Sequence, residues 1–278
     1  MRWRQVPSTQ PLGYAEPKYN VLGLYDPPKQ DMASLRIPAQ YRYSPFFDCL
    51  ADALFQHRHA AASVDPYTQN RYARAAVVAA ALSIECLANC LIAELELGGG
   101  EFDAVDRLKP FDKIARYFKD HKLSGFDKGA AVSQRCKELL EIRDRQVHPK
   151  MTRMPVDVLG LRDRGKEWEL PFEVDLDLSE RLSIPGGAFA WEVEVSSIAL
   201  KAAFQFHDSV LQSILKAGQG DLAVVLATGV EFKGAVSIVM PVFDKMKVEL
   251  AEAEAFGLSI GRLGLASFLQ IVGPPDER

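Results

Sequence analysis

The sequence predicts a mainly α protein: an antiparallel helical bundle with a small β-hairpin insert, an extended N-terminal arm and a C-terminal extension of uncertain architecture. Three observations carry this expectation. Several segments repeat apolar residues at the three-and-four spacing of a helix face. One segment alternates apolar and polar residues in the manner of a strand. The first 45 residues hold seven of the sixteen prolines, and proline disfavours helix and central strand alike. The expected divisions are 1–44 for the arm, 45–217 for the bundle with its β insert at about 154–186, and 218–278 for the extension.

The arm also carries five of the eight tyrosines and Trp3. These give it surface for packing, either on its own domain or around a partner subunit. Helical patterning starts near Ser44-Pro45, with serine suited to a cap and proline to the first turn. Phe46, Phe47, Leu50, Leu54 and His57 then mark one face. Asp65-Pro66 breaks the chain. A second helix is expected from about Tyr72 to Leu97, stopped by Gly98-Gly99-Gly100. A third follows Pro110, with Phe111, Ile114, Ala115 and Phe118 on its face. Gly125 and Gly129 punctuate a loop, and a fourth helix runs from about Ala130 to Val147, ended by Pro149.

The period then changes. Trp168, Leu170, Phe172, Val174, Leu176 and Leu178 alternate within Lys166 to Ile184, which reads as one strand with one buried face. Met154 to Leu161 is its expected partner, and Pro185-Gly186-Gly187 closes the insert. Helical spacing returns from about Val193 to Lys216 through Ile198, Ala202, Phe206, Val210 and Ile214. In the extension, Asp221 to Met240 reads as short strands and Val242 to Phe256 as an amphipathic helix.

Composition narrows the function. A net charge of −4, with 48% hydrophobic and 25% charged residues, is ordinary for a globular protein. It excludes a wholesale basic coat for nucleic acid and leaves room for a local basic site. Arg2 and Arg4 are followed by a polar, proline-bearing stretch, so no secretory signal is read and a cytoplasmic location is expected. Ala75 to Leu97 is apolar enough to suggest a membrane span. Glu85 at its middle, with Asn89 one turn on, makes a buried helix the better reading, since a charge at bilayer depth is costly. Glu96 extends the polar stripe.

The cysteines at 49, 86, 90 and 136 are too few for a disulfide scaffold and read as buried thiols in a reducing compartment. Cys86 and Cys90 lie one helical turn apart, but no histidine completes a metal set. His57 and His59 fall on different helix faces. No phosphate loop, dinucleotide glycine motif or nucleophile elbow is present. No cofactor and no metal are expected.

One segment stands out: Leu139-Leu140-Glu141-Ile142-Arg143-Asp144-Arg145-Gln146-Val147-His148-Pro149-Lys150. Val132, Cys136, Leu139, Leu140 and Val147 trace an apolar stripe, and Arg143 falls within it. A guanidinium in such a stripe is expensive to bury unpaired. It must meet a carboxylate, a subunit interface or an anionic ligand. Residues 131–153 carry six Lys and Arg against three Asp and Glu, in a chain that is acidic overall.

This segment resembles the signature of the HEPN superfamily: Arg, a short spacer, then His, with Asn or Asp often following the Arg. Here Arg143 and His148 bracket four residues and Asp144 takes the polar position. A second match, Arg116 to His121, lacks that polar residue and precedes the loop. The resemblance implies a HEPN-like helical bundle, with the motif near the end of a late helix. It also implies dimerisation that brings two motifs into one cleft. Family members include metal-independent ribonucleases, often toxins or defence effectors, as well as inactive binding modules. The expected function is therefore cleavage of RNA by 2′-OH attack. The expected partners are RNA or a nucleotide, a second subunit and an antitoxin protein; no membrane is expected.

The chemistry fits the residue types. Histidine suits both proton roles near neutrality, so His148 is the candidate acid or base. Arg143 supplies a permanent forked charge for phosphate oxygens. Asp144 is placed to orient His148, Arg143 or a water. Arg145 and Lys150 are candidates for flanking phosphates. Glu85 is either a carboxylate supporting Arg143 or part of a solvated stripe. On a continuous helix, positions 143 and 148 diverge by about 140°. Pro149 is expected to push His148 out of the helical region, or two subunits pool their motifs. Otherwise Arg143 pairs with Glu85 or Glu141, and His148 caps the helix end.

Overall fold

The computed structural model describes residues 39–95, 97–148, 150, 151, 153, 155–158, 162, 163, 168, 169, 172–174, 176–218, 221–232, 235–238 and 243–271, all within the unit 39–278. The arm before residue 39, Glu96 and Pro149 lie outside them. The fold is mainly α and has the character of a helical bundle.

The chain enters on β1 (Gln40–Arg42) and turns into α1 (Phe46–Ala62). Ser44 is not the cap of α1. Its Oγ instead donates to the Leu226 carbonyl at 2.6 Å, and its N–H donates to Thr228 Oγ1 at 3.0 Å. A three-residue connection returns the chain alongside α1 as α2 (Pro66–Ala93). This helix begins six residues before the apolar spacing does. Asp65 accepts from the Thr68 N–H at 2.7 Å and Pro66 opens the first turn, so the apparent break is a helix start. The polar residues Thr68 to Arg71 hid that turn from hydropathy.

At its other end α2 stops at Ala93, short of the expected Leu97. Gly98 caps a further short helix, α3 (Gly99–Asp106). The glycine run is thus a start rather than a stop, and the buried Val105 anchors the helix that follows. α4 (Pro110–Asp120), α5 (Ala131–Val147) and α6 (Val193–Lys216) lie where their apolar stripes place them.

α2 is central and touches α1, α4, α5 and α6. Ala73, Ala76, Ala80 and Ala81 are fully buried, and such small side chains let neighbouring backbones approach closely. Phe46 and Phe47 of α1 are also buried, each contributing about 2–3 kcal/mol of apolar transfer. α2 has the length and hydropathy to cross a membrane, yet 61% of its apolar window is buried inside the protein.

The described part of the insert is two short antiparallel pairs. β2 (Val156–Val158) pairs with β5 (Phe172–Val174), and β3 (Arg162–Asp163) pairs with β4 (Trp168–Glu169). The run Lys166 to Ile184 is not one strand. Glu138 of α5 accepts from the Leu182 N–H at 2.8 Å and from the Arg181 N–H at 3.1 Å. This pulls the chain into a turn after Ser179. Leu178 is 60% exposed, while Leu182 and Ile184 are buried.

The last segment shares the bundle's core. α7 (Leu222–Leu226) occupies the start of the stretch that reads as strands, capped by Asp221 accepting from the Ala223 N–H at 2.9 Å. β6 (Gly229–Phe232) and β7 (Ala235–Ile238) follow, in a sheet of order β1-β6-β7. α8 (Asp244–Ala251) falls inside the expected amphipathic segment. Leu222, Leu226, Met246, Leu250, Leu263 and Leu269 join the same buried cluster as α1 and α2. Arg58 of α1 bridges Glu249 at 2.9 Å and Glu252 at 3.1 Å.

Candidate functional site

The site begins with α5. Ser133, Cys136, Leu139, Leu140 and Ile142 are buried and fix the helix rotation. The stripe ends there: Val147, expected to continue it, is 47% exposed. The last turn therefore projects beyond the core. His148 leaves the helical region at φ −114°, ψ 64°, as the residue before a proline should, while its N–H still donates to the Asp144 carbonyl at 2.9 Å.

Arg143 lies between α5 and α2. Its Nη2 donates to Glu85 Oε1, and its Nε lies 3.2 Å from Asp144 Oδ1. The side chain is only 12% exposed. That Nε pair is an ion pair without hydrogen-bond geometry. The fold thus brings Glu85, Arg143 and Asp144 together. It leaves Arg145, His148 and Lys150 exposed around the helix end. The His148 imidazole makes no hydrogen bond among the described residues. Among the described residues Arg143 has no bond to it, and its Nη1 has no acceptor.

Asn89, on the Glu85 face of α2, accepts from Lys113 Nζ at 2.7 Å, and that ammonium also meets Asp106 at 3.1 Å. Glu85 and Asn89 are thus both engaged by cations of neighbouring helices, although Asn89 is exposed; Glu96, the end of the expected stripe, lies outside the described residues. In the second motif match, Arg116 is bound to Glu101 at 2.5 Å and Asp120 at 2.6 Å, and His121 packs on Tyr117.

The cysteines divide. Cys90 and Cys136 are buried, and Cys49 and Cys86 are partly buried, so the expectation of buried thiols holds fully for two of the four. Cys86 Sγ lies 3.6 Å from Cys49 Sγ across α1 and α2. That hydrogen bond lowers the Cys49 pKa and raises that of Cys86. No group of three or more His, Cys, Asp or Glu residues is gathered for a metal among the described residues. His57 instead bonds Ser196 Oγ at 2.7 Å, and His59 stacks on Tyr72.

A cleft of about 350 Å³ lies beside the motif. Asp52 and Gln56 of α1 form one wall and Gln146 of α5 lines it as well. Arg74, Ala75, Val78, Ala79 and Leu82 of α2 complete it. Gln146 is one turn from Arg143, and Leu82 is one turn from Glu85, so the cleft leads toward the Glu85–Arg143 pair. Burial, and the nearby Asp48, raise the Asp52 pKa. The sequence reading missed Asp52, Gln56, Arg74 and Gln146. The available signal was Arg71 and Arg74, one turn apart at the edge of an apolar helix.

Comparison with family models, curated proteins and solved structures found no match for the chain. The residues of the site carry the functional argument by themselves.

Proposed function

We propose that the protein is a metal-independent endoribonuclease of HEPN type that cleaves RNA by 2′-OH attack, acting in the cytoplasm as a toxin or defence effector. The observation that carries this reading is the arrangement around the end of α5. A guanidinium is held between helices by Glu85 and Asp144, and an exposed imidazole lies beyond it at position 148. In this reading Arg143 Nη1 takes a phosphate oxygen and stabilises charge that grows in the transition state. His148 moves the proton of the 2′-OH or of the leaving 5′-oxygen. Asp144 orients the guanidinium, and Arg145 and Lys150 hold flanking phosphates.

Arg143 and His148 of one chain share no hydrogen bond among the described residues, so the reading includes a homodimer in which two motifs share a groove. Val147, at 47% exposure, and Met151, at 91%, supply apolar surface for it beside the motif. An antitoxin would cover the same surface.

A second reading is a catalytically silent module that binds a nucleotide or a protein. The engagement of Arg143 by two carboxylates favours it, because they already offset the charge that a phosphate would meet. Incubating single-stranded RNA with the wild-type protein in excess chelator separates the two. The ribonuclease reading expects 2′,3′-cyclic phosphate and 5′-hydroxyl ends that vanish in His148→Ala. Absence of any cleavage, with nucleotide binding retained, selects the silent module.

A further inference from the structure

We infer that the groove between α1 and the first half of α2 is a track for single-stranded RNA, holding the nucleotides on one side of the scissile phosphate. This rests on the ribonuclease reading and adds a substrate-binding surface to it. The cleft that Gln146 borders, about 350 Å³, shares Gln56 and Ala75 with a second cleft of about 230 Å³. The two form one continuous groove. It begins one turn from Arg143 and runs along α2 to Arg71 and Tyr72.

The lining has the chemistry of single-strand recognition. Arg71 and Arg74 lie one turn apart, spaced to contact backbone phosphates. The Arg74 Nε is buried and has no hydrogen-bond partner among the described residues. A desolvated charged donor without an acceptor is costly, and a phosphate oxygen would satisfy it. Tyr72 lines the second cleft, and Tyr67 lies exposed with the Arg71 guanidinium 5.8 Å from its ring. His59 covers one face of Tyr72, which leaves its other face and the exposed Tyr67 ring, interleaved with the arginines, to stack unpaired bases.

Gln56 and Gln146 carry amides that both donate and accept, which suits the edges of bases. The floor of alanine and valine lies between α1 and α2 and is open to solvent, with Gln146 of α5 at one end. Unpaired bases can lie on such a floor, whereas a duplex keeps its bases stacked inside. An acidic peptide would use the arginines but would make no use of the exposed aromatic face or of the base-edge chemistry of the two amides.

The test uses a labelled, unstructured, uncleavable 2′-O-methyl dodecaribonucleotide and the full chain, read by fluorescence anisotropy. Arg71→Ala/Arg74→Ala should bind about tenfold more weakly. It should also lower the slope of log affinity against log salt by about 1.4, since each lost single-strand phosphate contact accounts for about 0.7. Arg71→Lys/Arg74→Lys should stay within a few fold, and Tyr72→Ala should lose about tenfold. Circular dichroism checks folding, and Arg71→Gln/Arg74→Gln replaces the alanine pair if that pair unfolds.

The track is overturned if the neutral variants bind as tightly as wild type. It is equally overturned if a duplex of the same sequence binds as well, if polyglutamate competes as strongly as polyuridylate, or if wild type binds no oligonucleotide. Cleavage assays on natural RNA keep the two readings apart. Binding through Arg71 and Arg74 without cleavage upholds the track and removes the ribonuclease. Cleavage with an unchanged KM in the neutral variants upholds the ribonuclease and removes the track.

Discussion

Arg143 on α5 donates through Nη2 to Oε1 of Glu85 on α2, so the residue at the head of the motif is also a tie between two helices. We predict that Arg143→Ala costs on the order of 1–2 kcal/mol in urea unfolding, because Glu85, at 34% exposure, can turn to water. Glu85→Ala should cost more, on the order of 2–3 kcal/mol, since it leaves a largely buried guanidinium with Asp144 alone. If Arg143→Ala fails to fold at 25 °C, Arg143 is a structural ion-pair partner and its phosphate role is abandoned.

His148 tests the chemistry without disturbing the core. Its side chain is exposed at the helix end, so His148→Ala should unfold at the wild-type temperature. We predict a loss of cleavage of about 10²–10⁴, the scale of positioned proton transfer, with RNA affinity kept within a few fold. Arg143→Ala should reduce both. A His148→Ala protein that still cleaves would move the proton chemistry elsewhere.

Assembly is a separate matter. Val147 and Met151 expose apolar surface beside the motif, and a shared groove needs two copies. Light scattering at micromolar concentration should report a dimer. Val147→Asp together with Met151→Asp should yield monomers that have lost cleavage. A monomeric wild type that cleaves at full rate would show that one chain suffices.

His207 predicts an acid sensitivity. It is fully buried at the centre of α6, with Nε2 2.7 Å from Ser83 Oγ, and burial lowers its pKa from 6.5 to about 3. The unfolded chain therefore takes up a proton between those values while the folded chain does not. Stability is full above the unfolded pKa and falls as the pH drops, by on the order of 1 kcal/mol per pH unit. Urea midpoints measured from pH 7.5 to 4.5 should show this slope, and His207→Gln should flatten it. An unchanged slope in the variant would assign the acid loss to other groups.

Cys49 and Cys86 predict a redox response. Their sulfurs lie 3.6 Å apart on α1 and α2, and both side chains are only partly buried. Oxidised glutathione should convert the pair to an intramolecular disulfide, each glutathione leaving as a thiol, and free thiols should fall from four to two. Closing a loop between residues 37 apart in sequence should raise stability by on the order of 2–4 kcal/mol. Cys49→Ser should prevent both changes. A loss of Cys90 or Cys136 thiol instead would mean that α2 or α5 opens during oxidation.

Legibility followed how local each signal was. The stripes of α4, α5 and α6 lie at residue spacings along one helix, so their existence and nearly all their bounds were readable from the chain alone. Ser44 and Asp65 were not readable in the same way. A serine or aspartate before an apolar run is a cap only if its side chain bonds the helix that follows. Asp65 does so at Thr68, whereas Ser44 bonds Leu226, 182 residues away. The glycines at 98–100 and the alternation through Leu178 misled for the same reason. Their outcome depends on Val105 packing and on Glu138 gripping the backbone of Leu182.

The sequence by itself determined a mainly α chain, a buried apolar α2 and an arginine that needed a partner on α5. Those follow from hydrophobic period and from the cost of burying an unpaired charge. Only the tertiary structure decided which carboxylate that partner is, because Glu85 and Arg143 stand 58 residues apart and meet through helix packing. It likewise decided that the C-terminal segment completes the core, and that Asp52, Gln56, Arg74 and Gln146 line one cleft. A cleft is a property of how three helix surfaces meet, and no single stretch of chain encodes it.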